Sequence, residues 1–239
     1  MTPRVSIFCT SIRPQLWPGL YYALSATTQS FELIITSPYY STDPPPSNVR
    51  IISTNVKPAQ AIEIGRRACR GEYTMYLPDD VLMSVGALDL LCAAAEESTS
   101  ELTMLTARYA MDGEVFDDSC LRYNAHDATS PLVSIGNFMK RSTAELLGGL
   151  DRNFIAHYWD LDLALRLHAR GGSVRIVDTV VANELRVQDA GISLSSSFGK
   201  TDRDYLTWLW GDGKNLANRP EVFAYQDVDL LTVTQGRSK

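Results

Sequence analysis

Two pairs of aspartates have neighbours that suit them to chemistry. Asp79 and Asp80 close the run Gly71-Glu72-Tyr73-Thr74-Met75-Tyr76-Leu77-Pro78-Asp79-Asp80, a largely apolar stretch that ends abruptly in carboxylates. Open α/β sheets bind ligands at the carboxyl ends of their strands, where adjacent carboxylates can hold Mg²⁺ or Mn²⁺ against a diphosphate. Asp160 and Asp162 lie further on, in His157-Tyr158-Trp159-Asp160-Leu161-Asp162-Leu163. Aromatic neighbours at the mouth of a helix keep a carboxylate partly dry, which raises its basicity and suits it to accept a proton. Both pairs also have a plainer reading. Asp79 and Asp80 can be solvated turn residues capping a helix that begins near Ser84, and Asp160 can be an N-cap with Asp162 in the first turn. Taken singly, neither motif decides between chemistry and capping.

Other side chains are less specific. His157 and His168 read as ordinary surface or core histidines. Arg66, Arg67 and Arg70 precede the aspartate strand and could offset diphosphate charge, although a solvated helix face accounts for them too. Tyr205, Trp208 and Trp210 could stack on an acceptor sugar or pack as an amphipathic face. Cys9, Cys69, Cys92 and Cys120 form no CxxC pair, and His126, His157 and His168 show no metal-ligand spacing. Reduced thiols and no zinc site are expected.

The elements that must position these residues follow from hydrophobic pattern. Short β-branched runs alternate with helical stretches over the first hundred residues, the pattern of a parallel sheet with crossover helices. Strands are predicted over Val5 to Cys9, Glu32 to Ile35, Val49 to Ser53 and Tyr73 to Leu77, with helices near Trp17 to Ala26, Ala59 to Cys69 and Ser84 to Glu97. Prolines make Asp43 to Ser47 a surface loop. After Glu101 the pattern is mixed, with a hairpin turn at Asp112-Gly113 and a strand through Leu132 to Lys140. Leu161, Leu163, Leu165 and Leu167 alternate at period two, but the Asp162 and Arg166 pair and the stop at Gly171-Gly172 favour a helix. Gly191 to Gly199 is expected to be a mobile loop before a short helix carrying Tyr205, Trp208 and Trp210.

Composition narrows the partners. A chain of 239 residues with 45% hydrophobic content can bury a large core, so it is a folded domain. Its 22 basic residues against 28 acidic ones leave a net charge of −6 with no basic block, which argues against nucleic acid. The longest uncharged stretch, Pro14 to Phe31, is interrupted by prolines and polar residues, so no transmembrane segment is expected. The apolar run Val5 to Cys9 is short and soon followed by Arg13, without a cleavage site, so a cytoplasmic location is expected.

In their order and spacing these features resemble the family 2 glycosyltransferases, inverting enzymes of the GT-A fold. Members open with a strand and a Thr-x-Asn-Arg-Pro-like loop, continue with a Gly-Glu-Tyr strand leading to an aspartate motif, and later carry Gly-Gly-Phe-Asp and Glu-Asp-x-Asp-Leu. The counterparts here are Val5 through Thr10-Ser11-Ile12-Arg13-Pro14, then Gly71 through Asp80, then Gly148-Gly149-Leu150-Asp151 and Trp159-Asp160-Leu161-Asp162-Leu163, spanning residues 4 to 180. The resemblance implies a single GT-A (Rossmann-like) α/β domain over 1–239, with a mostly parallel central sheet, helices on both faces and a mixed carboxyl-terminal half. Residues 1–100 would bind the nucleotide-sugar, 101–190 would serve the acceptor and catalysis, and 191–239 would be the mobile loop and tail.

Position by position, the resemblance makes Asp80 the ligand of a divalent cation, Mn²⁺ or Mg²⁺, with Asp79 beside it. It implies nucleotide contacts at Thr10, Ser11, Arg13, Ser37 and Asp79. Asp160 becomes the catalytic base, with Asp162 in reserve. The donor implied is a nucleotide diphosphate-sugar, a UDP-sugar foremost, and the acceptor a glycan or other hydroxyl compound. Some positions depart from the family: Pro78 replaces the first acid of the DxD motif, and Thr36-Ser37 stand where many relatives place a uracil-binding aspartate. Trp159 replaces the acid before the base, and Asn183-Glu184 occupy the region of a late metal-binding histidine in some relatives. Two alternatives share the fold: a catalytically silent module that binds carbohydrate or nucleotide-sugar, and a sugar-nucleotide pyrophosphorylase. The pyrophosphorylase is disfavoured by the lack of a Gly-rich basic loop after the first strand.

Overall fold

The computed structural model describes residues 2–41, 44–115, 136–187 and 190–210, without the side chains of 136 and 190–197. The amino-terminal alternation becomes β1 (Val5–Thr10), α1 (Trp17–Leu24), β2 (Phe31–Ser37), β3 (Val49–Ser53), α2 (Pro58–Arg67) and β4 (Tyr73–Tyr76). The four strands pair in parallel in the order β3-β2-β1-β4. Alternate side chains enter separate cores, which is why the runs read as almost continuously apolar. Val5, Ile7, Cys9, Leu33, Ile35, Met75 and Leu77 pack with α1 and with α3 (Ala87–Glu96), whereas Phe8 and Ile34 pack with α2 on the opposite face.

The carboxyl-terminal half is mixed, as expected. Its strands are β5 (Val81–Met83), β6 (Thr103–Met111), β7 (Glu114–Val115), β8 (Gly136–Lys140) and β9 (Ser173–Glu184), joined by α4 (Arg141–Leu146) and α5 (Trp159–Ala169). β8 lies antiparallel between β4 and β6, and β9 runs parallel to β6 and antiparallel to β5, completing a nine-stranded sheet. The β6–β7 turn has positive φ at both Asp112 (49°) and Gly113 (88°), the conformation a two-residue hairpin needs. The leucine run in α5 alternates at period two because the helix is buried nearly all round, so its pattern carries no polar face to betray the helical period.

One element departs from expectation. The stretch Gly191 to Gly199 is no loop but the first half of α6 (Ala190–Trp210), a helix of 21 residues. Serine has only middling helix propensity, and one long helix results because Leu206, Leu209 and Trp210 anchor its far end in the core shared by α2, α4 and α5. Cys9, Cys69 and Cys92 are buried free thiols. No described helix is long and apolar enough to cross a membrane. Asp43, Cys120, His126, the first part of the strand expected over Leu132 to Lys140 and the tail from residue 211 lie outside the described residues.

Candidate active site

The Gly-Glu-Tyr strand delivers its aspartates to the edge of the sheet beside the end of β1. Gly71 starts it because a Cβ there would stand 2.7 Å from the Ser6 backbone nitrogen. This close approach lets Gly71 N–H donate to Ser6 Oγ at 2.7 Å and sets the register of β4 against β1. Asp79 then lies 3% exposed and accepts from Ser11 Oγ at 2.5 Å and from Arg13 Nε at 3.0 Å. Arg13 Nη2 reaches both carboxylates, pairing with Asp79 and lying 2.8 Å from Asp80 Oδ2. Burial raises the Asp79 carboxyl from its ordinary value, and Arg13 and Ser11 oppose that rise. Trp17 Nε1 donates to Ser11 Oγ at 2.7 Å, so the first turn of α1 braces the Thr10 to Pro14 loop.

The structure thus brings Thr10, Ser11, Arg13, Ser37, Asp79 and Asp80 to the carboxyl ends of β1, β2 and β4. They are not equally available. Ser37 is 1% exposed, and its hydroxyl accepts the Tyr39 N–H at 3.0 Å in a local turn. The groups that reach solvent beside it are the rings of Tyr39 and Tyr40.

Asp160 approaches from the other face of the sheet. Trp159 packs edge-on against Tyr76, the last residue of β4, with ring centroids 4.8 Å apart. That contact seats the head of α5 beside the strand that carries Asp79 and Asp80. Tyr76 records the proximity: its phenol is raised well above the usual value by burial first, and then by Cys9, Asp79, Asp80 and Asp160. Asp160 is half-buried, and burial pushes its carboxyl up to about 6, against the opposing pull of the Leu161 N–H 2.8 Å away. The helix starts at Trp159, so Asp160 is its second residue and not its N-cap. The cap position belongs to Tyr158, whose φ of 62° and ψ of 0° are left-handed. For an aromatic residue that conformation costs about 1–3 kcal/mol.

Asp162 faces elsewhere. Two residues on a helix are about 200° apart, so it projects from the opposite side of α5. It is 0% exposed, pairs with Arg166 Nε at 3.0 Å and accepts Trp210 Nε1–H at 2.8 Å. The Asp162–Arg166 spacing read from the sequence as helix support is therefore an interior ion pair.

Sequence reading did not single out Tyr109 and left Glu184 without a role. Glu184 reaches the site because β9 pairs with β5: it lies opposite Val81, and Leu185 N–H donates to the Asp80 carbonyl at 2.8 Å. Tyr109 donates its hydroxyl to Glu184 Oε2 at 2.9 Å. Burial raises the Glu184 carboxyl, and Asp80 adds to the rise. No local signal marks this set, since only strand pairing distant in sequence assembles it.

Asp79, Asp80 and Glu184 against Arg13 leave the ionised cluster with formal charge −2, which would repel a diphosphate. Hard carboxylate oxygens in a cluster short of positive charge fit Mg²⁺ or Mn²⁺. Among the described residues no group of three or more His, Cys, Asp or Glu could hold a metal on its own. Ions of this kind can also be held by one or two carboxylates with substrate phosphates completing the shell.

The sheet order, the aspartates at its carboxyl edge and the flanking helices define a GT-A-like glycosyltransferase fold. No family model and no curated protein matches the chain. Among solved structures it is similar to residues 1–349 of Staphylococcus aureus TarS, with TM-score 0.59 and 12% identity over 76% of this chain and 60% of that one. The TarS complex with UDP-GlcNAc aligns with TM-score 0.57 and 11% identity over 80% of this chain and 60% of that one. GalNAc-T7, solved with UDP, GalNAc and Mn²⁺, aligns with TM-score 0.63 and 12% identity over 79% of this chain and 45% of that one. This chain therefore spans less than two thirds of either glycosyltransferase.

Proposed function

We propose that this chain transfers a sugar from a nucleotide diphosphate donor, a UDP-sugar, to a hydroxyl of a glycan or other acceptor, with inversion at the anomeric carbon. The observation that carries the reading is Asp160: a half-buried carboxylate with its pKa near 6, seated through Trp159 and Tyr76 against the strand that ends in Asp79 and Asp80. Ionised at neutral pH, Asp160 takes the acceptor's proton as the acceptor oxygen attacks the anomeric carbon. The bond from that carbon to the diphosphate oxygen breaks in the same displacement, and its electron pair leaves with the diphosphate.

Arg13 holds Asp79 in place and offers its guanidinium toward the phosphates, and Thr10 and Ser11 shape the floor under the nucleoside. Asp80, with Asp79 beside it, would hold a divalent cation, its remaining ligands supplied by the donor's phosphates and water. When bound, such an ion stabilises charge on the leaving diphosphate. That relatives of the same fold were solved with UDP, UDP-GlcNAc and Mn²⁺ supports the choice of donor and ion. Exposed Tyr39 and Tyr40 make stacking on the base a better fit than hydrogen bonding through Ser37.

The test is a screen of nucleotide-sugars for hydrolysis without acceptor, in Mn²⁺ and in Mg²⁺. Cleavage of at least one UDP-sugar, abolished by chelation, is expected. Binding of UDP without cleavage of any donor would favour the silent binding module instead.

A further inference from the structure

We propose that Asp202 is a positioning residue for Asp160, its carboxylate on α6 holding the backbone turn from which the head of α5 starts. The proposal rests on Asp160 being the base. Asp202 is 1% exposed, and both of its oxygens are spent on main chain. Oδ1 accepts the Ile155 N–H, and Oδ2 accepts the N–H groups of Ala156 and His157, each at 2.8 Å. Hydrogen bonds to an ionised carboxylate are about twice as strong as neutral ones, and a three-donor set fixes the turn in one orientation. From the other side Ala59, in α2, donates its N–H to the Ile155 carbonyl at 2.9 Å.

Tyr158, the next residue, has the left-handed backbone described above, and Asp160 follows two residues later. A strained residue persists only where its surroundings over-determine it. Here those surroundings are the Asp202 carboxylate before it and the Trp159 contact with Tyr76 after it. The other anchors of α6 hydrogen-bond to side chains. Tyr205 donates its hydroxyl to Asp151 Oδ2 at 2.9 Å, and Trp210 donates to Asp162. They dock the helix, whereas Asp202 sets the turn.

Asp202→Asn tests this, because an amide offers one acceptor oxygen and turns an NH₂ toward N–H donors. Turnover of the donor is expected to fall about 10- to 100-fold, the scale of a misplacement near 1 Å. UDP affinity should stay within about twofold, since no nucleotide contact is altered. Amide hydrogen exchange at residues 155–157 should accelerate while the α2 amides keep their protection. Lys200→Ala breaks an exposed ion pair of α6 with Asp204 and should leave the turnover within about twofold, separating positioning from a general weakening of the helix.

Wild-type turnover in a folded Asp202→Asn protein would overturn the proposal. So would fast exchange of the 155–157 amides in the wild-type protein, a measurement that holds even if the variant fails to fold. Asp160→Asn is assayed alongside. If it abolishes turnover while Asp202→Asn keeps the wild-type rate, only the positioning role falls; if Asp160→Asn turns over normally, the base assignment falls and the positioning role with it.

Discussion

A carboxyl group with a pKa of about 6 is ionised at neutral pH yet basic enough to draw a proton from a hydroxyl in the transition state, and in Asp160 burial creates that balance. Asp160→Asn keeps the shape but cannot take the proton, so turnover should drop ~10²- to 10⁴-fold with UDP affinity unchanged, as read by steady-state kinetics and calorimetry. Wild-type turnover should fall as pH drops through about 6, with the acid limb absent from any residual activity of the variant. The same shift acts on stability with opposite benefit. The folded carboxyl binds its proton more tightly than the unfolded one, so the native state is favoured at low pH. That advantage is lost as pH rises through the window from about 4 to 6. Asp160→Asn escapes the loss and should be more stable than wild type at pH 7.5, by at most about 3 kcal/mol and with a higher melting temperature, with no gain at pH 3.5. A lower melting temperature at pH 7.5 would mean that burial does not penalise the charge. At this scale the neighbours of Asp79, Asp80 and Asp160 in the chain mark them as candidates, and the structure places the first two just past β4 and the third at the head of α5. The sequence did not announce the fate of Asp162, which depends on Trp210 in a helix far along the chain.

Elements were legible where local pattern and burial agree. β1, β2, β3 and β4 are short apolar runs bounded by turn residues, and all lie where their sequences point. β5 has three residues and no periodicity to show, while the α6 extension is set by docking at its far end, so neither could be read locally. The Gly148-Gly149 turn before α5 gives a contrast that isolates element packing. Gly149 has φ 71°, and a Cβ there would meet Arg66 Nη2 at 2.7 Å and Glu63 Oε1 at 2.8 Å. Those groups form a buried pair, with Arg66 Nε 2.7 Å from Glu63 Oε2, and Glu63 also accepts the Leu150 N–H at 3.0 Å. Gly86 has nearly the same φ of 73° with nothing within 4 Å. Gly86→Ala should therefore cost only the backbone share, about 1–2 kcal/mol, and Gly149→Ala at least about 2 kcal/mol more, measured by urea unfolding. Equal losses would show that the α2 clasp on this turn yields without penalty.

On the scale of the whole molecule, the strand order β3-β2-β1-β4 gathers the loop after β1, the end of β2 and the aspartates after β4 on one edge, and β9 returns to bring Glu184 beside them. The parallel half could be inferred from alternation of strands and helices. The mixed half could not, because β8 and β9 find their partners across long stretches of chain, with no local signal for the pairing. The assembled edge carries more negative than positive charge, so the proposed function calls for an added cation when a diphosphate binds there. Titrating UDP into the wild-type protein and into Asp80→Asn by calorimetry, with and without Mn²⁺, tests this most directly. Saturable binding by wild type only with Mn²⁺, weakened at least about tenfold in Asp80→Asn, is the expected result. Equal UDP affinity in the two proteins, or no binding by wild type with Mn²⁺ present, would contradict a nucleotide diphosphate site at this edge of the sheet.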